Sequence, residues 1–198
     1  MSPRLTRRFY RRDSETVARA LLGQKLVRMV DGRRIAGLIV ETEAYLGLPD
    51  MAAHTYGGRR TPRNETMWGD AGHLYVYFTY GMHHCANVVA GRAGDPVAVL
   101  LRALDPVENL DAMRRRRRRG VDLCSGPARL CQALAIDRTL DGLDLVNGRS
   151  LFIEPQRRSS TLQRRVVTAP RIGIAFAGPW ARKPLRFYIR DNPHVSRR

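Results

Sequence analysis

Residues 24–44 read Gln24-Lys25-Leu26-Val27-Arg28-Met29-Val30-Asp31-Gly32-Arg33-Arg34-Ile35-Ala36-Gly37-Leu38-Ile39-Val40-Glu41-Thr42-Glu43-Ala44. Two runs rich in Leu, Val, Ile and Met flank the dipeptide Asp31-Gly32. An Asp-Gly pair accepts the positive φ angles of a tight reversal whose twist matches two antiparallel strands. The stretch therefore predicts a hairpin, with one strand over Gln24–Val30 and a second over about Arg33–Ala44. The second strand runs through Leu38-Ile39-Val40 into Glu41-Thr42-Glu43. Residues i and i+2 of a strand share a face, so two carboxylates are expected side by side next to apolar surface. Such a setting shifts carboxylate pKa values and suits a general base. Solvated acids at a strand end are the plain alternative.

Working outward, Asp13 or Ser14 caps a helix with Val17, Ala18, Leu21 and Leu22 on one face, and Gly23 ends it. Residues 46–72 are rich in Gly, Pro and Arg and read as one long loop, a length that is often functional. His73–Tyr80, Asn87–Ala90 and Val97–Ala103 read as strands. Val107–Arg119 fits a helix with Leu110 and Met113 on its buried side, and Ser125-Gly126-Pro127 opens another over Ala128–Ala135. Short strands are expected at 151–154, 171–176 and 185–189. Strands dominate and turns link them as hairpins. The fold class is α+β, a single domain with a curved, mostly antiparallel β-sheet surrounded by helices. Residues 1–12 form a basic N-terminal arm and 13–198 the domain.

The chain has 198 residues, with 35 Lys plus Arg against 18 Asp plus Glu and a net charge of +17. Lys25 and Lys183 are its only lysines. A hydrophobic share of 43% is that of a globular protein, not a disordered basic tail. No apolar run is long enough to span a membrane, and the basic N-terminus lacks the apolar segment of a secretory signal. The three cysteines, Cys85, Cys124 and Cys131, are an odd and sparse set, which points to reduced thiols in the cytoplasm and matches no zinc-ligand spacing. Residues 1–12, the run Arg114–Arg119 and residues 157–198 together carry +21, leaving −4 for the rest. Basic segments flanking a slightly acidic middle suggest surfaces that position a phosphate backbone, with nucleic acid as the default partner.

Other segments carry candidate chemistry. His54 follows the Glu-x-Glu strand, with Tyr45 and Tyr56 nearby. The run Gly57-Gly58-Arg59-Arg60-Thr61-Pro62-Arg63-Asn64 combines close backbone approach with guanidiniums that reach phosphates. In Tyr75-Val76-Tyr77-Phe78-Thr79-Tyr80-Gly81-Met82, alternation puts Tyr75 and Tyr77 on one face. Tyrosines beside an arginine-rich loop suit base stacking as well as ordinary packing. Arg102 interrupts an apolar strand and calls for a carboxylate partner. Asp105 or Glu108 would make that pairing structural, and an acid of the site would make it functional.

The order of these motifs resembles the alkyladenine (3-methyladenine) DNA glycosylases of the mammalian type, which also occur in bacteria. The matching stretches are Val40-Glu41-Thr42-Glu43-Ala44-Tyr45, Ala52-Ala53-His54, Gly57-Gly58-Arg59, Thr61-Pro62-Arg63-Asn64, Leu74-Tyr75-Val76-Tyr77 and Tyr80-Gly81-Met82. They continue through Leu100-Leu101-Arg102-Ala103-Leu104, Leu123-Cys124-Ser125-Gly126-Pro127, Leu130-Cys131-Gln132-Ala133-Leu134 and Trp180-Ala181-Arg182-Lys183-Pro184-Leu185-Arg186-Phe187-Tyr188. They cover nearly the whole chain, from about Ala18 to Ser196. The resemblance implies a monofunctional glycosylase acting on double-stranded DNA that contains damaged purines. Such an enzyme flips out an alkylated or deaminated purine (3-methyladenine, 7-methylguanine, hypoxanthine or ethenoadenine) and hydrolyses the N-glycosidic bond, leaving an abasic site for base excision repair. It implies Glu43 as the base that activates water and Arg102 as a residue that helps hold that water. Tyr45, His54 and Tyr77 would form the base pocket, with Asn87 crowding the guanine amine. Tyr80 would fill the gap in the stack with Met82 beside it, and Arg59 and Arg63 would touch phosphates. It implies no metal or other cofactor, a monomer and no membrane, in a bacterial cytoplasm at the nucleoid. Glu41, the six-arginine run and the N-terminal arm receive no role from it.

Three other readings compete. A metal-dependent nuclease could ligate its ion with Glu41, Glu43, His54 and His83 or His84. A nucleic-acid binder without chemistry would account for the charge and the tyrosines but leave Glu43 idle. A formyl- or acyl-transferring enzyme on a related sheet fold is the third, since fold does not fix function.

Overall fold

A computed structural model describes residues 3–157 and 165–197. The elements in chain order are α1 (Arg7–Tyr10), α2 (Ser14–Leu21), β1 (Lys25–Val30), β2 (Arg33–Tyr45), β3 (Leu74–Thr79), β4 (His83–Ala90), β5 (Val97–Glu108), α3 (Leu110–Arg117), α4 (Pro127–Leu134), β6 (Leu151–Glu154), β7 (Val166–Ala169) and β8 (Arg186–Ile189). The strands pair antiparallel in the order β3-β4-β5-β2-β1-β6, and β8 joins β2 to β7. The result is the expected α+β domain with a curled antiparallel sheet.

β2 organises the sheet. Over Arg33–Leu38 it pairs with β1 through the Asp31-Gly32 turn, and over Glu41–Glu43 it pairs with β8. β5 runs along its other side. The two carboxylates thus sit where β2 has neighbours on both sides, which is why Glu41, Thr42 and Glu43 are all 0% exposed. Thr42 points to the opposite face, where its hydroxyl donates to Ala18 O of α2 at 3.0 Å. That face carries the main core: Leu74, Val76, Val88, Val99 and Leu101 pack with Leu21 and Leu22 and with Leu130 and Leu134 of α4. Asp13 caps α2 by accepting from Thr16 N, as its position before an apolar-periodic run predicts.

Several boundaries differ from the sequence reading. β5 extends to Glu108, and the helix expected from Val107 begins at Leu110, because Asn109 takes a left-handed φ of 56° that no strand or helix continues through. The strand expected at 171–176 lies earlier, at Val166–Ala169. Pro170 follows that strand, and the chain then turns through Gly173 (φ 79°) into a 3-10 segment over Ala175–Arg182. The apolar side chains of Ile172 and Ile174 that suggested a strand line a cavity instead. The 46–72 loop carries two 3-10 turns, Tyr56–Gly58 and Glu65–Trp68, and is pinned by buried Asp50, Thr55 and Asn64.

The basic segments also behave differently from the surfaces their charge suggests. In the N-terminal segment Leu5 and Tyr10 are buried in the core, Arg7 pairs with Asp144 at 2.8 Å and Arg11 pairs with Asp70 at 2.8 Å. Within the six-arginine run, Arg116 and Arg117 reach Ala133 O and Gln132 of α4, while Arg114, Arg115, Arg118 and Arg119 are exposed. Arg171 and Arg186, which belong to the basic C-terminal segment, are buried. Arg158, Arg164 and Arg198 of that segment lie outside the described residues. All three cysteines are free and buried. Among the described residues no helix is long and apolar enough to cross a membrane.

Candidate active site

The site lies on the face of the sheet opposite the main core. Its register follows strand alternation: Tyr45 opposes Ala98, Glu43 opposes Leu100, Leu100 opposes Asn87, Asn87 opposes Tyr75, and Cys85 opposes Tyr77. Across β2 and β5 the pairing is interrupted. Glu41 opposes Ala103 while Thr42 opposes Leu101, so Arg102 is an extra residue in β5. A bulge of this kind re-aims a side chain. Here the Arg102 guanidinium reaches both carboxylates: Nε lies 3.2 Å from Glu41 and Nη1 3.2 Å from Glu43. Asp105 and Glu108 are occupied elsewhere, by His194 and Asn192 and by Lys25 and Arg34. Of the two pairings open to Arg102, the site pairing is the one formed.

Glu43 is held by three groups. Its Oε1 accepts from Ile172 N at 2.8 Å and faces Arg102, and its Oε2 accepts from the Tyr45 hydroxyl at 3.0 Å. Burial pushes its carboxyl above the usual range, against the opposing pull of Arg102, the Ile172 N–H and the Tyr45 hydroxyl. A carboxylate so raised takes a proton more readily at neutral pH. Tyr45, Arg102 and Ile172, the three groups around it, all line a cavity of about 350 Å³. Glu43 itself has no cavity surface and lies one layer beneath the floor.

The walls of that cavity are aromatic. Tyr77 meets His54 edge to face, with ring centroids 4.5 Å apart. His54 Nδ1 is 2.8 Å from the Tyr75 hydroxyl. Although the His54 side chain is partly open to solvent, desolvation, with Arg63 and Arg59 adding to it, pushes its pKa down to about 4, so the ring is neutral at pH 7. Asn87 is buried and donates to Tyr75 O at 3.2 Å.

At the rim, Tyr80 is 83% exposed at the β3–β4 tip. Tyr80 and Gly81 both take positive φ, 51° and 65°, and Met82 N donates back to Thr79 O at 3.2 Å. Glycine accepts that geometry freely, whereas tyrosine is strained there by about 1–3 kcal/mol. Met82 is exposed on the same tip and stands off the cavity. Arg59 and Arg63 border an adjoining hollow that shares His54 and Tyr75 with the main cavity, and Arg63 also donates to Phe78 O at 2.8 Å.

Glu43, Arg102, Tyr45, His54, Tyr77 and Asn87 therefore converge, with Tyr80 at the mouth. The sequence reading missed four groups that complete the site. Asp50 and Arg171 form a fully buried pair with contacts of 2.6 and 2.8 Å, and Arg171 stacks 4.6 Å from the Tyr45 ring centroid. Arg186 pairs with Glu41 at 2.9 Å. Phe176 stands at the cavity mouth, 74% exposed. Only Arg186 left a signal in the sequence: it interrupts an apolar strand, as Arg102 does. Among the described residues no three His, Cys, Asp or Glu side chains gather as metal ligands. Glu41 and Glu43 are met by arginines and peptide N–H groups instead.

A carboxylate beneath an aromatic cavity, beside an exposed aromatic tip and arginines, fits the class of base-excising glycosylases. The sequence profile of the family described as Methylpurine-DNA glycosylase matches residues 8–193. The chain belongs to that family. It is similar to the DNA-3-methyladenine glycosylase of Mus musculus, 48% identical over 207 residues, and to that of Homo sapiens, 47% identical over 205 residues. Each alignment covers 98% of this chain, but only 62% of the mouse protein and 68% of the human one. A relative from Desulfitobacterium hafniense strain Y51, which bears the 3-methyladenine DNA glycosylase name provisionally, is 45% identical over 98% of both chains.

Proposed function

We propose that the protein is a monofunctional DNA glycosylase that extrudes an alkylated or deaminated purine from duplex DNA and hydrolyses its N-glycosidic bond. One observation carries the reading: every group that holds buried Glu43 also forms the floor of the aromatic cavity. A purine between Tyr45 and Tyr77 would place its sugar C1′ above Arg102 and Ile172. Water admitted between these groups to Glu43 would lose its proton to the carboxylate as its oxygen bonds to C1′, and the bond electrons would leave with the base. The carboxylate also stabilises the oxocarbenium character of the sugar. With its proton on Nε2, neutral His54 would donate a hydrogen bond to the base. Substrates in this reading are 3-methyladenine, 7-methylguanine, hypoxanthine and ethenoadenine.

Incubation with a duplex holding one hypoxanthine or ethenoadenine, followed by alkaline cleavage, tests the reading. Strand breaks at the lesion that persist in EDTA are expected, and intact strands would overturn it. The Tyr80 tip supplies a second expectation. Flipping a base costs a few kcal/mol, which an aromatic filling the vacated stack offsets by about 1–3 kcal/mol. Tyr80→Ser should therefore weaken lesion-specific binding by about 5- to 150-fold. Unchanged affinity in a titration at matched salt would remove Tyr80 from that role.

A further inference from the structure

Glu41 stands behind the cavity and touches none of it. Its carboxylate is nevertheless fully engaged: Oε1 accepts from Arg102 Nε at 3.2 Å and Arg186 Nη1 at 2.9 Å, and Oε2 accepts from Ser196 N at 2.7 Å. Arg102 makes a further bond from Nη2 to Ser196 Oγ at 3.3 Å. Arg186 donates to Arg197 O at 2.7 Å and to Pro170 O at 3.0 Å. Two carboxylates and two guanidiniums thus form a chain from Arg186 through Glu41 and Arg102 to Glu43. Their side chains are 0–8% exposed. Residues 195–197 close the chain from outside.

Charges removed from water interact strongly and escape salt screening. A planar guanidinium donates as a fixed fork, so the bond from Nε to Glu41 dictates where Nη1 points. Arg102 thereby presents Nη1 to Glu43 in one orientation, because Glu41 and Ser196 hold its other two nitrogens.

We propose that Glu41 is a positioning residue that sets the basicity of Glu43, by fixing Arg102 between the two carboxylates and balancing the charges of Arg102 and Arg186. The proposal rests on the reading of Glu43 as general base. The charged and titratable groups around Glu43 are Glu41 and Tyr45 on β2, Arg102 on β5, Tyr77 on β3, Cys85 on β4 and Arg186 on β8 behind Glu41, with Arg171 packed on Tyr45. Within this set, removing the charge of Glu41 takes away a repulsion on Glu43 and leaves Arg102 with Glu43 as its one carboxylate, which lowers the proton affinity of Glu43. Removing Arg186 draws Arg102 toward Glu41 and raises it. The two changes act in opposite directions, which loosened packing would not do.

The test is single-turnover excision of hypoxanthine from a duplex at saturating enzyme, followed across pH. The acid limb of the wild-type profile reports Glu43. Glu41→Gln should move that limb to lower pH by about one unit and lower the plateau about tenfold. Arg186→Gln should move it to higher pH. Glu41→Asp, which keeps the charge, should leave it in place. Limbs that stay put, or that move the same way in Glu41→Gln and Arg186→Gln, overturn the proposal. If Glu41→Gln does not fold by circular dichroism, the Arg186→Gln and Glu41→Asp limbs decide it alone. Glu43→Gln is measured alongside. Wild-type rates there would overturn the reading of Glu43 itself, a result distinct from an unmoved limb in an enzyme that needs Glu43.

Discussion

Replacing Glu43 with glutamine should leave affinity for lesion-bearing duplex near wild type while single-turnover excision falls by about 100- to 10,000-fold, the usual contribution of a positioned general base. Glutamine fits the site. Its carbonyl oxygen can accept from Ile172 N and Arg102, and its amide can donate to the Tyr45 hydroxyl, so each group now bonded to Glu43 keeps a partner. Only the charge and the basicity disappear. Stability should fall, because the substitution takes one carboxylate from a buried set of two carboxylates and two guanidiniums and leaves Arg102 with Glu41 alone. An excision rate close to wild type would sink the assignment. A lower melting temperature at neutral pH would show that the negative charge is needed to hold Arg102.

The strand pattern carried much of this site. Asp31-Gly32 set the hairpin, and period-two alternation placed Glu41 with Glu43 and Tyr75 with Tyr77 on shared faces. The Arg102 argument was sound in kind, because an arginine inside an apolar strand did have carboxylate partners. Which partners it had was a tertiary question: Glu41 and Glu43 lie about sixty residues away, and a bulge decides the geometry. The same argument applied to Arg186 would have found the second guanidinium. Arg171 left no trace, since the run around it reads as a strand until Pro170 and Gly173 are given their backbone meaning. The charge pattern misled in a more instructive way. Basic ends and an acidic middle suggested outward surfaces for phosphate, yet Arg7, Arg11, Arg171 and Arg186 of the ends pair with Asp144, Asp70, Asp50 and Glu41 of the middle. Part of the asymmetry along the chain is internal complementarity that folding brings together. The exposed arginines that remain, with Arg59 beside the mouth, are those available to DNA.

Asp50→Asn should be the most damaging of these substitutions to the fold. Asp50 and Arg171 are both 0% exposed and joined by two short bonds. Asp50 also accepts from Leu46 N and Ala52 N at 3.0 Å each, which shapes the turn leading to His54. Arg171 donates to Ala44 O and packs on the Tyr45 ring, one residue before the Ile172 N–H that holds Glu43. Asparagine removes the charge and leaves Arg171 buried and uncompensated, a loss of about 3–5 kcal/mol. For a chain of this size that lowers the melting temperature by about 6–20 °C. Replacing both partners, as in Asp50→Asn with Arg171→Met, removes the stranded charge and should recover a large part of the loss, since apolar substitutes for a buried pair are often neutral. Excision should not recover with it, because the double variant restores packing without restoring the bonds that set Tyr45 and Ile172 around Glu43. If Asp50→Asn melts within about 1 kcal/mol of wild type, the pair is not the clamp between these loops. If the double variant regains both melting temperature and rate, the pair serves stability alone, and the placement of Tyr45 and Ile172 must come from the sheet.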